Sequence, residues 1–416
     1  MKTQFLRRCA AVVSWGLCAS LLAAAPAGAV ELHPYGFLLA GYIENWGRTN
    51  SAEVPTQATS AGTTAASNQN TSEFTARQSR LGVNLIGGKG PFDSDLSGVI
   101  EMDFYGLRNT GTSSLDTLAS APRLRLAYIQ AKRGDDTVVF GQDWVKSFAP
   151  LTPTSLLHVG SPALSNSGNL WNRIPQLRWD RTWGLKDDWS VATKAALLRS
   201  FTGDETGRTT TAGGTAFAVP SSVDTAGSGE FSGGPAYQAL AEIHKKIDGR
   251  DFFAGVSGQY LRESFNAAEP APAGTKNNQV AGFLWSAHFD FPVHEKLEFT
   301  GEAFYGRGDQ NQNGLGSVYN NLGSIQQSLA RGGWFQTTVK PIKKWSVNAM
   351  AGFESVDELS VAAGTIYRNE SEAVNVMWDV SPEMTLALEF GRIHSYYLAA
   401  LSGDSENSGF SAQYKF

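Results

Sequence analysis

The chain has 416 residues, with 34 Lys plus Arg against 39 Asp plus Glu, a formal net charge of −5, and 44 Gly beside 23 Phe, 12 Tyr and 11 Trp. That charge excludes a nucleic-acid binder working through a basic surface, and the abundance of glycine and aromatic residues points to strands and turns rather than helices. Beyond residue 30 no run of 18 apolar residues occurs, so any membrane crossing there is made by strands.

The first predicted element is a secretory signal at 1–29. Lys2, Arg7 and Arg8 precede "CAAVVSWGLCASLLAAAP", and "AGA" then puts Ala27 and Ala29 at the two small-residue positions of a cleavage site. A membrane anchor is the competing reading, but Pro26 breaks the run and Glu31 follows it; a lipid anchor at Cys18 is disfavoured by the bulky "WGL" before it. Cys9 and Cys18 both leave with the signal, so the mature chain, 30–416, is expected to have no disulfide and no thiolate metal site. It retains 31 bases against 39 acids, net about −8, and roughly 387 residues, ample for one large domain.

From residue 30 onward a period of two recurs. The predicted strands are 34–46, 76–87, 96–106, 122–132, 137–143, 172–181, 188–199, 236–246, 251–262, 279–291, 296–307, 331–340, 345–355, 368–380, 384–392 and 406–416, sixteen in all. In "LSGVIEMDFYG", Leu96, Ile100, Met102 and Phe104 take one side and Ser97, Glu101, Asp103 and Tyr105 the other. In "QVAGFLWSAHFDF", Phe283, Trp285, Ala287, Phe289 and Phe291 oppose Ser286, His288 and Asp290. "WSVNAMAGFE" and the terminal "GFSAQYKF" alternate in the same way, the last ending on Phe416.

Amphipathic strands fit a soluble sandwich, whose apolar faces share a core, or a transmembrane barrel, whose apolar face meets lipid around a wet lumen. Segments of nine to thirteen residues, all but the short 137–143, match the ~9–11 that cross a bilayer at a tilt. Eight long polar connections alternate with short turns such as "RGDD", "IDGR", "PVHE", "PIKK" and "SPE", as they do where turns and loops lie on opposite sides of a membrane. A closed barrel also leaves no unpaired backbone edge in lipid. Trp189, Trp345, Trp378, Tyr35 and Phe252, near predicted turns, suit interfacial girdles. The expected fold is therefore an all-β transmembrane antiparallel β-barrel of sixteen strands with its third long loop, 143–171, folded inward, because Phe148, Leu151, Leu156 and Leu157 are misplaced on a loop in water. An outer cap or a subunit contact is the alternative for that loop.

Function then rests on inward polar residues. Glu101 and Asp103 on one predicted strand face Arg123 and Arg125 on the next, with Leu124 and Leu126 turned to lipid; the opposed charges either orient a passing solute or merely brace the wall. Arg77, Arg80, Gln176 and Arg178 extend the candidate channel lining, and Lys146, Phe148 and His158 belong to the candidate constriction loop. An enzyme is disfavoured. The six histidines, at 33, 158, 244, 288, 294 and 394, form no HExxH-type spacing, no cofactor motif occurs, and Ser286 with His288 falls on the luminal face. No metal or cofactor is expected.

Over roughly the first 180 residues the chain resembles the DcaP-like family of outer-membrane porins, through "SRLGVNLIGG" (79–88), "GVIEMDFYG" (98–106), "PRLRLAYIQ" (122–130), "VVFGQDW" (138–144) and "GNLWNRIPQLRW" (168–179). Glu101 and Asp103 match the acids of the family's E-x-DF stretch, and Arg125 the arginine of its R-x-AY stretch. The resemblance implies a homotrimer of sixteen-stranded barrels in the outer membrane of a Gram-negative bacterium, contacting lipid and lipopolysaccharide, each passing small hydrophilic, often anionic, solutes by diffusion. The family's N-terminal coiled coil is not expected here, since "LHPYGFLLAGY" follows the cleavage site within a few residues. The other function class compatible with the pattern is a non-conducting barrel serving as adhesin, receptor or structural anchor through its outer loops.

Overall fold

A computed structural model describes residues 30–62, 69–106, 120–201, 209–212, 215–218, 227–264, 279–321 and 324–416; the expected signal, 1–29, lies outside them. Sixteen barrel strands form one antiparallel closed sheet, the second strand being split so that the sheet holds 17 segments. We number them β1 (Glu31–Trp46), β2 (Thr71–Thr75 and Arg80–Lys89), β3 (Asp95–Gly106), β4 (Ala121–Arg133), β5 (Asp136–Trp144), β6 (Arg173–Gly184), β7 (Trp189–Leu198), β8 (Ala236–Ile247), β9 (Arg250–Ser264), β10 (Gln279–His294), β11 (Leu297–Arg307), β12 (Leu329–Val339), β13 (Trp345–Val356), β14 (Ile366–Asp379), β15 (Met384–Tyr397) and β16 (Gly403–Lys415). Each expected strand is present.

The seam explains the aromatic terminus. β16 pairs with β1 from Phe37↔Lys415 to Trp46↔Glu406, and beyond the ladder Gly36 and Phe416 exchange both backbone hydrogen bonds, each 3.1 Å. The ring of Phe416 stands so close to Gly36 that a Cβ there would lie 2.9 Å from it. Outward positions carry Leu124, Phe140, Val256, Trp285, Tyr305 and Phe410, all exposed, while the alternate positions bury polar groups such as Gln238, Ser286, His288 and Asn375. That inversion of a soluble protein's pattern is the signature of a lipid-facing wall. Trp345 and Trp378 stack at 5.4 Å beside two short turns, as a girdle does.

Three departures from expectation have physical causes. First, 76–79 leave the ladder and split β2, because the Ser79 hydroxyl takes over the Leu39 amide (2.9 Å) and Gln78 turns inward. Second, Leu126 does not face lipid: the register shifts between Glu101↔Leu126 and Met102↔Leu124, so that Arg125 and Leu126 are both buried. This is a β-bulge, which sequence alternation does not reveal. Third, β15 continues to Tyr397 rather than ending at 392, because its last outward residues include Arg392 and His394 and break the apolar alternation without breaking the strand.

The turns after β2, β4, β6, β8, β10, β12 and β14 are short and lie at the end where β1 begins and β16 finishes; the long loops lie at the other, together with the short connection 398–402 between β15 and β16, where the expected strand bounds left a long one. The third long loop (L3, 145–172) folds inward as expected. The described parts of the first (L1, 47–62 and 69–70) and the sixth (L6, 308–321 and 324–328) do so too, which the sequence did not indicate: Glu53, Ala58, Asp309, Asn311 and Gln312 are buried.

Candidate constriction and its two walls

L3 crosses the lumen because both walls supply what its backbone lacks. From the break in β2, Gln78 accepts the Val159 and Gly160 amides (2.7 Å each) and donates to the Leu157 carbonyl (2.8 Å). From the far side, Glu302 on β11 accepts the Leu151 amide (2.7 Å), Gln336 on β12 that of Thr154 (2.7 Å), and Glu389 on β15 the Ser155 hydroxyl (2.6 Å). Between these fastenings, Phe148, Leu170, Ile174, Leu198, Leu261 and Phe304 form an apolar cluster against the β6–β11 wall. Thus Phe148 anchors the loop by burial rather than touching the passage.

Glycine permits the closest approach. Gly168, at φ +97°, lies directly on the Gly333 backbone, where any Cβ would overlap main-chain atoms, and Gly352 meets the Ser167 carbonyl in the same way. Glu354 on the same strand accepts the Leu315 amide of L6 at 2.6 Å. β13 therefore holds two loops, L3 by close approach at Gly352 and L6 by this hydrogen bond.

The β2–β6 wall gathers the predicted basic residues. Asp103 takes Arg123 in two hydrogen bonds (3.0 and 2.6 Å) and Arg125 in one (2.7 Å), while Arg125 also reaches Glu101 at 2.8 Å. Arg125 is wholly buried. Arg178 is buried likewise, held by Asp143 (3.0 Å), Asp180 (2.9 Å) and Gln176 (3.1 Å), and Gln176 donates to the Asp143 carbonyl at 3.0 Å. Arg77 pairs with Glu53 of L1 at 2.7 Å. Lys146, half exposed, lies 3.2 Å from Asp143.

Two bases differ. Among the described residues, neither Arg80 nor Arg173 lies within ion-pairing distance of a carboxylate. Arg80 donates to the Val159 carbonyl of L3 (2.8 Å), and Arg173 stacks over Trp144 and Trp171 at 5.0 and 5.6 Å. Tyr105 lies similarly under Arg77 and Arg123, at 4.4 and 5.4 Å. Held by a carbonyl and by ring faces, Arg80 and Arg173 keep their charge unspent, whereas Arg77 and Arg123 are paired with Glu53 and Asp103. Arg173 and these rings were not singled out from the sequence; the visible cue was the density of Trp and Arg in "GNLWNRIPQLRW", which reads equally well as strand packing.

His158 is buried in L3 with its Nε2 3.5 Å from Glu389, and burial holds its imidazole below the ordinary range although that carboxylate pulls the other way. In L6, Asp309 accepts the Gly316 amide (2.7 Å) and contacts Glu354; burial pushes its carboxyl up to about 6. The folded barrel thus retains a proton that the unfolded chain has released. Its contribution to seating L6 is full below the ordinary value of 3.8 and is lost as pH rises through about 6. Once the intrinsic base-catalysed rise of amide exchange is divided out, the protection of the L6 amides is expected to fall between pH 5 and pH 8 and, in Asp309→Asn, to stay level; protection with equal pH dependence in both proteins would refute the assignment. No group of three or more His, Cys, Asp or Glu side chains suited to a metal ion occurs among the described residues.

No family model matches the chain, and no curated protein does. Solved structures do. The outer membrane channel DcaP of Acinetobacter baumannii aligns over 94% of this chain and 99% of its own, with a TM-score of 0.70 at 19% identity. OmpT of Vibrio cholerae aligns over 94% and 99% (TM-score 0.52, 9% identity), and OmpF of Salmonella typhi over 92% and 97% (0.52, 10%). The fold is that of the porin barrels. At such identities the likeness is one of architecture, and the chemistry of the passage must be argued from this chain's own side chains.

Proposed function

We propose that the protein is a channel of the Gram-negative outer membrane, exported by the signal at 1–29, through which small hydrophilic solutes diffuse passively with a preference for anions. The observation that carries this reading is the narrowing of the lumen by L3 against a wall on which Arg80 and Arg173 keep positive charge uncompensated. A solute entering between the outer loops exchanges water for hydrogen bonds to these groups and leaves toward the short turns. Retention must be weak for conduction to proceed. The likeness to an outer membrane channel of Acinetobacter baumannii supports the reading, as does the sequence resemblance, which adds a homotrimer in contact with lipid and lipopolysaccharide.

A second reading has an observation of its own. L1, L3 and L6 all fold inward and an apolar cluster fills one side of the lumen, which suits a plugged barrel acting as adhesin, receptor or anchor. Swelling of liposomes holding the refolded chain separates the two. A channel admits solutes up to a size limit, faster for anionic than for neutral sugars of equal size; no swelling with any solute would leave the plugged barrel.

A further inference from the structure

We infer that L6 carries a binding site for a divalent cation of the hard, oxygen-preferring kind, calcium foremost, held between Asp309 of the loop and Glu354 of β13. The observation is a pair of acids buried together. Both side chains are fully shielded from water, and they contact one another. The Asp309 carboxylate accepts the Gly316 amide (2.7 Å) and that of Glu354 the Leu315 amide (2.6 Å). The second oxygen of each, Asp309 Oδ1 and Glu354 Oε2, is buried with no hydrogen-bond partner.

Charge decides what the pair lacks. Other buried acids of the lumen meet bases: Asp103 meets Arg123 and Arg125, Asp143 meets Arg178, and Glu242 meets Lys194 and His288. Among the described residues no Lys, Arg or His lies within ion-pairing distance of Asp309 or Glu354. Two touching carboxylates away from water do not both ionise unaided, and buried charges are either paired or coordinated to a metal. In acid a shared proton relieves the pair. Near neutral pH a divalent cation does so better, because it neutralises both charges and takes both orphan oxygens at once.

The loop sequence points to the same ligand. Residues 308–314 read "GDQNQNG", and an aspartate followed at alternate positions by side-chain oxygens and then by glycine is the opening of a calcium-binding loop. The structure keeps the aspartate and brings the second acid from β13, while Asn311 spends its oxygen on the Phe201 amide (3.0 Å) and is not a ligand. Gly314 and Gly316 wrap the Asp309 carboxylate so closely that a Cβ at either would overlap it, which lays main-chain oxygens of this turn beside the pair. Leu315, between them, packs on the apolar cluster and pins the turn. Carboxylate, main-chain and water oxygens suit calcium, which takes about six to eight in flexible geometry, better than magnesium, which demands a near-ideal octahedron. Loading the site has a consequence for the constriction. The Gln312 carbonyl accepts the Trp171 amide (3.1 Å), Asn313 donates to the Trp171 carbonyl (2.8 Å), and Asn166 donates to the Asn313 carbonyl (3.2 Å), so an L6 held by calcium steadies the end of L3 that carries Trp171.

The inference rests on the inward fold of L6 and not on conduction, and the test keeps the two apart. The refolded mature chain, free of lipopolysaccharide, is titrated with calcium chloride in a calorimeter at pH 8. One saturable site per barrel is expected, with half-saturation on the order of 10⁻⁴–10⁻³ M, weakened about tenfold or more in Asp309→Asn and in Glu354→Gln and unchanged in Glu358→Gln, an exposed acid of the next long loop. No saturable site, or a site that both substitutions in the pair leave at wild-type affinity, would overturn the inference. Since a change in a buried pair can block folding, the wild type alone supplies a second reading. With chelator present, the pH dependence given above for L6 holds; with calcium at ~10 times half-saturation, exchange of the 309–316 amides at pH 8 is expected to slow about tenfold while the strand amides stay as they were. Unchanged exchange in L6 would overturn the inference as well. A barrel that binds calcium in this way yet passes no solute would sink the channel and leave the site standing.

Discussion

Gly168→Val is expected to unseat L3 and raise single-channel conductance while leaving the barrel folded. The backbone at Gly168 is left-handed, φ +97°, a conformation that costs a β-branched residue about 1–3 kcal/mol. The new side chain would also collide with the Gly333 main chain, which β12 cannot move without breaking its ladder. Lifting the loop forfeits the hydrogen bonds of the neighbouring Ser167 hydroxyl with Asn369 (2.8 Å) and Ser371 (2.7 Å), worth about 0.5–1.5 kcal/mol each. The seat of this end of L3 therefore weakens by roughly 2–6 kcal/mol, while the fastenings at Gln78, Glu302, Gln336 and Glu389 hold the rest of the loop. Planar-bilayer recordings check this: wild-type conductance with a wild-type size limit in a correctly folded Gly168→Val barrel would show that L3 does not set the bore. Gly333→Ala is not an equivalent test, since its Cβ would strike the neighbouring strand at Ala303, 2.9 Å away.

The barrel was legible because lipid imposes a strict rule. Every outward residue of β10, from Phe283 to Phe291, is apolar, and every second one faces the lumen; a period of two sustained over thirteen residues belongs to a strand with one oily and one wet side. The same rule hid the outward charges of β14–β16. There the outward residues Glu372, Arg392 and Glu406 look like the end of a strand or a luminal face, and only the register shows that they point away from the lumen. The bulge at Arg125 was invisible for a related reason: one extra residue reverses the assignment of every side chain beyond it.

The inward loops were half legible. Phe148, Leu156 and Leu157 announce that L3 needs cover, whereas L6 and L1 are held by Asp309, Gln312, Thr56 and Ala58, through contacts that no local composition specifies. Asn369 on β14, for instance, donates to the Thr56 carbonyl at 2.8 Å across 313 residues of sequence. Polar residues that serve a distant backbone look like those that serve water. The candidate lining suffered from this as well: the sequence marks Arg125 and Arg178 as lining, but not that both would be buried beneath their own carboxylates.

That burial directs the second large effect to other residues. In Arg80→Gln/Arg173→Gln the anion preference is expected to collapse toward none. An unpaired guanidinium ~6 Å from a passing ion contributes about 2–3 kcal/mol at an effective dielectric of ~20, and screening over a Debye length of ~8 Å reduces this to on the order of 1 kcal/mol, several-fold in relative permeability for each charge. The side-chain amide introduced in place of Arg80 retains a donor for the Val159 carbonyl, and the rings of Trp144 and Trp171 remain to pack on the amide that replaces Arg173, so L3 should keep its place and conductance should change little. Arg125→Gln makes the instructive contrast. It strips Glu101 and Asp103 of a shared buried partner, and breaking such a pair costs about 3–5 kcal/mol, so its first effect is on folding yield and thermal stability rather than selectivity. Reversal potentials across a salt gradient distinguish the cases. If the double variant keeps the wild-type value, the field at the constriction arises elsewhere, and the proposed anion preference fails with it.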